Sequence, residues 1–227
     1  IVGYCLLSTI SSVFNTGLVE GSANSATLMV GGVVGVIDSN TTVSETGNWG
    51  RVHALNGKKV YAGGVVGRAS GYIYTMPGQQ IFAVITPVAY SFNYGPVTVK
   101  NSLEESYAGG IIGWGKGVIM TTDYNRGNVK NEAKSATAAA GGIVAVMDTL
   151  TMSSVYTYND SLVGKNVGVV AYEAKGRYIF DGVIYGSNLD GIPDRAVLSP
   201  DSGSRDTAVE SYTFEELKYS SITELTN

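Results

Sequence analysis

Charge is scarce in this 227-residue chain: Asp, Glu, Lys and Arg make up 15%, and the 15 basic residues form no cluster. Neutralising phosphates requires a basic face, so nucleic acid is set aside as a partner. Cysteine occurs once, as Cys5, which excludes an internal disulfide and leaves the redox compartment open. Histidine also occurs once, and any Ser/His/Asp or metal-dependent site would rest wholly on His53. Proline is limited to five residues. No helical periodicity persists through residues 1–185, and no apolar run approaches the ~20 residues that cross a bilayer as a helix. What the chain has instead is 30 Gly and 15 Tyr, a strand-rich and turn-rich composition of extracellular type.

The glycines recur in a pattern. Val30-Gly31-Gly32-Val33-Val34-Gly35, Tyr61-Ala62-Gly63-Gly64-Val65-Val66-Gly67 and Tyr107-Ala108-Gly109-Gly110-Ile111-Ile112-Gly113 are near copies. Ala140-Gly141-Gly142-Ile143-Val144-Ala145 and Val167-Gly168-Val169-Val170-Ala171 are weaker ones. Ile1-Val2-Gly3 reads as the tail of another, from which we expect the chain to be a piece of a longer coil. A second element precedes the glycine pairs: Phe14-Asn15-Thr16-Gly17, Phe92-Asn93-Tyr94-Gly95 and Tyr124-Asn125-Arg126-Gly127, with Asn48-Trp49-Gly50 and Tyr158-Asn159-Asp160 as weaker members. The aromatic stands 17 residues before the first glycine in three copies, at 14 and 31, 92 and 109, and 124 and 141. A fixed offset of this kind marks a repeat architecture. None of the glycine runs is followed by Lys-Ser/Thr or a helix, which rules against a phosphate cradle.

Each unit reads as short strands, because Val33-Val34 and Ile111-Ile112 are β-branched runs too short for a helix. Identical residues at identical places predict an all-β fold, a right-handed parallel β-solenoid (β-helix) of about six repeats. The glycines are expected to supply unusual backbone angles at a tight corner and to let neighbouring walls approach closely. Asn15, Asn48, Asn93, Asn125 and Asn159 are expected to form an amide ladder, with the aromatics at 14, 92, 124 and 158 stacked beside it. One insertion is expected near 72–90, and one shortening between Val163 and Gly168. The repeat domain is placed at 1–198, with a linker and C-terminal cap or the start of a next segment at 199–227. Thr213-Phe214-Glu215-Glu216 is a capping box, predicting a short capping helix whose apolar face is Leu217, Ile222 and Leu225.

The units resemble the GLUG-type repeat of bacterial secreted and surface proteins. In that repeat a Gly-Gly-Leu/Ile/Val-Val-Gly core is followed by a short strand and an aromatic-Asn-x-Gly-x-Val segment. Residues 31–36, 63–67, 109–129 and 141–144 carry the likeness, which covers the chain to about residue 190, and 212–227 look like the stretch that closes such arrays. Departures are Ala145 and Ala171 at the last glycine position, the missing glycine at Val167, and the insertion. The resemblance implies an extracellular or cell-surface location in a large bacterial protein and an adhesin-like or stalk role. It implies no catalytic residues.

The remaining chemistry is sparse. His53 lies on a strand-like stretch whose alternation points it outward, and Cys5 reads as a small apolar filler. Asp38 and Asp148 recur at equivalent places, but the units between offer Arg68 and Lys116 there, a poor basis for the paired acids of a glycosidase. Glu104, Glu105 and Asp123 fall in connections. Asn188, Asp190 and Asp194 surround a glycine as calcium ligands do, yet no bidentate Glu follows at the expected distance, so an ordinary turn is the better reading and calcium the alternative. Insertions in repeat proteins often carry binding, which makes Tyr72, Tyr74, Tyr90 and Tyr94 candidate ligand contacts, with Trp114 as another.

The function expected is a non-enzymatic structural or adhesive module, with no cofactor. Its partners would be glycans or host and cell-surface proteins, and neighbouring repeats of the same longer chain. A polysaccharide-processing solenoid enzyme and a self-assembling fibre subunit are the alternatives.

Overall fold

The computed structural model describes residues 2–75, 81–176, 178–186, 192, 195–199, 205–206 and 209–212. Every regular element among them is a β-strand, and equivalent strands of successive units pair in parallel. One sheet of twelve strands holds Val2, Val34, Val66, Ile112, Val144, Ala171 and Val197 in a single register. A sheet of seven aligns Phe14, Gly47, Phe92, Tyr124, Tyr156 and Ile184. Two sheets of five complete each unit. One aligns Val19, Val52, Val97, Val129 and Leu162, the other Gly31, Gly63, Gly109, Gly141 and Gly168. The fold is therefore all-β with parallel sheets, as the repeat predicts. Strands Arg205–Asp206 and Val209–Tyr212, in the stretch read as linker and cap, pair with Tyr178–Asp181 and Val183–Gly186. The helix predicted over 213–225 lies outside the described residues.

The insertion falls between Ser70, paired with Lys116, and Thr86, paired with Val118. Tyr72–Thr75 and Ile81–Val84 form an antiparallel pair there, and Thr86–Ala89 is already back in the large sheet. The expected shortening is also present, since Val129 to Gly141 is matched by Leu162 to Gly168.

Three details of the repeat shift by one or two residues. Tyr156 and Thr157, not Tyr158 and Asn159, pair with Tyr124 and Asn125, and one added residue then precedes Leu162. Gly168 pairs with Gly141, so the glycine missing from that copy is the second, where Val169 stands. Ala171 pairs with Val144, which leaves Tyr172 at the place of Ala145. Tyr158-Asn159 repeats the letters of the element, whereas pairing follows the backbone.

Two large apolar clusters fill the interior, and a smaller third one gathers Tyr107, Ala139, Ala145 and Val146. Columns such as Val34, Val66, Ile112 and Val144 fill the first, and Val52, Val97, Val129, Val60 and Ala62 fill the second. Each fully buried Val or Ile contributes about 1.5–3 kcal/mol. Cys5 packs against the first cluster but is only partly buried, where a buried filler is expected.

The glycine pairs serve only one of their two expected tasks. Positive φ among described glycines occurs at Gly117, Gly176 and Gly182, none of them in a pair. Lack of space is what requires the pairs. A Cβ on Gly31, Gly63, Gly109 or Gly141 would lie 1.8–2.0 Å from the carbonyl oxygen three residues ahead. On Gly32, Gly64, Gly110 or Gly142 it would lie 2.0–2.1 Å from a carbonyl oxygen of the next unit. The last glycine of the motif packs on the strand before the pair: a Cβ on Gly113 would be 2.7 Å from Ala62 N.

The corners use residues the repeat does not mark. Ser12, Glu45, Tyr90, Thr122 and Ser154 have φ between 52° and 56°, and Gly182 follows them at 63°. All six come directly after strand residues that share one register. Left-handed backbone costs an L-residue roughly 1–2 kcal/mol, so these corners are held by the pairing on either side.

Candidate functional site

The Asn-x-Gly element builds the seam between the two large apolar clusters. Asn15 Nδ2 donates to Asn48 Oδ1 at 2.7 Å, Asn48 to Asn93 at 2.7 Å, and Asn93 to Asn125 at 2.8 Å. Asn125 Nδ2 ends the series on the Gly142 carbonyl at 2.8 Å. Each Nδ2 also donates to the glycine carbonyl two residues ahead, on Gly17, Gly50, Gly95 and Gly127. Buried amides require such complete pairing, since an orphaned one costs about 1–3 kcal/mol.

Glycines flank this ladder on both sides. A Cβ on Gly32, Gly64 or Gly110 would strike the side chain of Asn48, Asn93 or Asn125. On Gly50, Gly95 or Gly127 it would meet the preceding unit's glycine carbonyl at 1.9–2.2 Å and an asparagine Nδ2 at 2.5–2.8 Å. The two sequence elements thus recur at constant offset because they face one another across the seam. The fifth member of the ladder is a correction: Thr157, not Asn159, stands in register with Asn125. Asn159 reaches back instead, accepting from Thr157 Oγ1 at 2.7 Å and donating to the Gly127 carbonyl at 2.5 Å.

Outside the seam runs a strip of aromatic rings. Phe92, Tyr124 and Tyr156 stack face to face with centroids 5.3 and 5.4 Å apart. Tyr158, expected in that column, lies instead at the residue between Asn and Gly, where Trp49, Tyr94 and Arg126 are its equivalents. Gly47 breaks the column, and the Phe92 ring leans over it, 2.1 Å from where a Cβ would be. Trp49 meets Phe92 edge-on at 4.6 Å and lies parallel to Tyr94 at 6.3 Å. Arg126 spans Tyr94 and Tyr158 at 5.9 and 5.4 Å from the ring centroids. Phe14, Trp49 and Tyr94 remain 56, 48 and 39% exposed, a contiguous aromatic surface of the kind that marks interaction sites. Burial and the Tyr94 hydroxyl hold the Tyr124 phenol well above its ordinary range.

The five expected contact aromatics do not form one site. Tyr94 belongs to the strip, and Tyr90 is an exposed corner residue. Tyr72 and Tyr74 lie on the antiparallel pair, and their side chains fall outside the described residues. Trp114 belongs to another cluster, with Arg68 over its ring at 5.2 Å and Tyr61 beside it, itself stacked on Tyr107. There burial and the Glu105 charge push the Tyr107 phenol up to about 12. Burial works against the charge on Glu105, but hydrogen bonds from Lys59 and Tyr61 outweigh it and hold that carboxyl below its usual range. Trp49 and Arg126 are not among the contacts expected from sequence, and Phe14 is expected there only as a member of the stacked aromatic column. The signal was available, since Trp49, Tyr94 and Arg126 share one place in the Asn-x-Gly element.

The polar candidates are dispersed. Asp38, Ser70, Lys116 and Asp148 share one register, so Ser70 holds the place assigned to Arg68. Asp38 and Asp148 are three strand spacings apart, roughly 14 Å, and Lys116 pairs with Asp148 at 2.8 Å. Glycosidase acids stand ~5–9.5 Å apart. His53 Nδ1 lies 3.8 Å from Glu20 on the preceding unit. Among the described residues no group of three His, Cys, Asp or Glu could hold a metal, and Asn188, Asp190 and Asp194 lie outside them. No described helix is long and apolar enough to cross a membrane.

Asp123 is buried between units, where it accepts from Ser91 N at 2.8 Å and Thr121 N at 3.1 Å. Burial raises its carboxyl well above the ordinary value, against the pull of those two donors.

Comparison with protein-family models, curated proteins and solved structures finds no match for this chain.

Proposed function

We propose that the chain is a right-handed parallel β-solenoid serving as a non-enzymatic structural and adhesive module. On this reading it belongs to a GLUG-type bacterial protein at the cell surface or outside the cell. The observation that carries the reading is the register: equivalent residues of successive units pair in parallel in every long sheet. A coil of this kind is stiff, and its outer columns present side chains at a spacing set by the backbone.

Ligand contact is assigned to the aromatic strip. Phe92, Tyr124 and Tyr156 are stacked on one another and less exposed. Trp49 and Tyr94 are more exposed, and Arg126 beside them supplies donors for hydroxyls or carboxylates. Aromatic rings flanked by a guanidinium suit the apolar faces of pyranose rings, which makes glycans the ligand class. The test is glycan-array binding of the chain, Trp49→Ala and Tyr94→Ala, with far-UV circular dichroism to verify folding. Binding lost by at least about tenfold in both folded variants supports the strip, since a lost contact of about 1.4 kcal/mol has that effect. An array that binds nothing, or binding unchanged in both variants, sinks it.

A further inference from the structure

The first unit stands at the edge of the four large sheets. Its strands Val2–Leu6, Thr9–Ser11, Phe14–Asn15, Val19–Gly21 and Thr27–Gly31 each end a sheet and pair on one side only. Edge strands are ordinarily guarded by charge or proline. Residues 1–31 contain no proline and a single charged residue, Glu20. Tyr4, Leu6, Leu7, Phe14 and Leu18 are half of the exposed large apolar side chains among the described residues.

The seam states what the neighbour must be. Gly50, Gly95 and Gly127 are glycine because the preceding unit's glycine carbonyl would lie 1.9–2.2 Å from their Cβ. Gly17 heads that column, yet a Cβ there would meet nothing closer than Asn15 Oδ1 at 3.8 Å. Gly3 heads a second column, where Gly35, Gly67 and Gly113 face a carbonyl at 2.6–2.7 Å and Gly3 itself faces nothing within 4 Å. Neither has a positive φ that would itself require glycine. Asn15 repeats the lesson: Oδ1 of Asn48, Asn93 and Asn125 takes an amide N–H from the unit before, while among the described residues Asn15 Oδ1 takes only the Gly17 N–H.

We propose that this end of the coil is a docking face for one further rung of the same Asn-x-Gly and Gly-Gly-x-x-Gly pattern, stacked in parallel. That rung brings a glycine carbonyl to Gly17 and an asparagine amide to Asn15. The far end of a second copy does not supply these, because the asparagine column continues there as Thr157, Tyr185 and Ser211. The proposal does not depend on any ligand at the aromatic strip.

The test compares the chain with one carrying a copy of residues 112–143 ahead of Val2, in place of Ile1. Thermal unfolding is followed for both, each with and without Gly17→Ala. We expect the added rung to raise Tm by about 5 °C or more and to unfold in the same transition, as about 2 kcal/mol does in a domain of this size. Gly17→Ala should shift Tm by less than about 2 °C in the original chain and abolish the gain in the extended one. Equal effects of Gly17→Ala in the two chains overturn the proposal, as does an added rung that unfolds separately. Sedimentation equilibrium covers the remaining occupant: a dimer of the original chain that Gly17→Ala dissolves assigns the face to a second copy and overturns the proposal also.

Discussion

The seam is made in two ways along the molecule. From Asn15 to Asn125 it is a run of identical amides, each held between glycines that leave no room for a Cβ. At the next unit the same space is filled by Thr157 and Asn159, one added residue widens the loop, and Val169 stands where a second glycine is expected. Both versions keep every seam donor on an acceptor. The difference teaches that the repeat conserves satisfied polar groups and backbone space, and that the amino acid at a given place is one means to that end. Beside Val169 the column of the following unit continues as Tyr185, where the regular units place an asparagine.

The largest expected effect contrasts the two glycine-pair positions. In Gly110→Ala the new Cβ would lie 2.0 Å from the Gly142 carbonyl and 2.2 Å from Asn125 Nδ2, both fixed by pairing. We expect a loss above about 4 kcal/mol or failure to fold. Val169→Ala, in the irregular part, should cost about 1–2 kcal/mol as an ordinary core truncation. Urea unfolding of the two variants decides it, and equal costs would break the distinction.

A smaller effect separates the two kinds of ladder residue. Asn93→Ala orphans an N–H of Asn48 and removes one donor from Asn125, all buried, for an expected loss of about 3 kcal/mol. Thr157→Ala removes one hydroxyl whose partner Asn159 keeps its bond to Gly127, and about 1 kcal/mol is expected. Denaturation midpoints in the reverse order would refute the account of the seam.

The smallest contrast lies beside the seam. Asp123 and Val155 directly precede Tyr124 and Tyr156, which pair in register, so a carboxyl and an isopropyl group occupy equivalent buried places. The folded Asp123 holds its proton more tightly than the unfolded chain does. Its contribution to stability is therefore fully present below the ordinary value of 3.8 and is lost as pH rises through the raised folded value. Stability measured against pH for the chain and for Asp123→Asn should diverge in that sense, the parent losing ground as pH rises. A parent that gains on the variant with rising pH shows that the two backbone donors outweigh burial.

Much of this was legible in the residues. Strand type, parallel pairing, the insertion and the regular asparagines followed from recurrence, because a column of identical side chains repeats in sequence as it does in space. The corner column did not, because Ser12, Glu45, Tyr90, Thr122 and Ser154 share a backbone angle and no side-chain chemistry. The aromatic strip was half legible: Tyr94 was singled out for its nearness to the insertion, while its companions Trp49 and Arg126 come from neighbouring units.

By itself the sequence determined that units stack and which residues line up, since glycine and asparagine at fixed spacing satisfy a packing requirement that recurs unit after unit. Only the tertiary structure decided which of their two expected tasks the paired glycines serve. The first glycine of each pair is required by the carbonyl three residues ahead, and the second by carbonyls and amides of adjacent units tens of residues away, a distance no local backbone preference can express. The irregular seam was decided in the same way, because Thr157 and Asn159 become equivalents of one asparagine only when Gly127 and Gly142 are beside them.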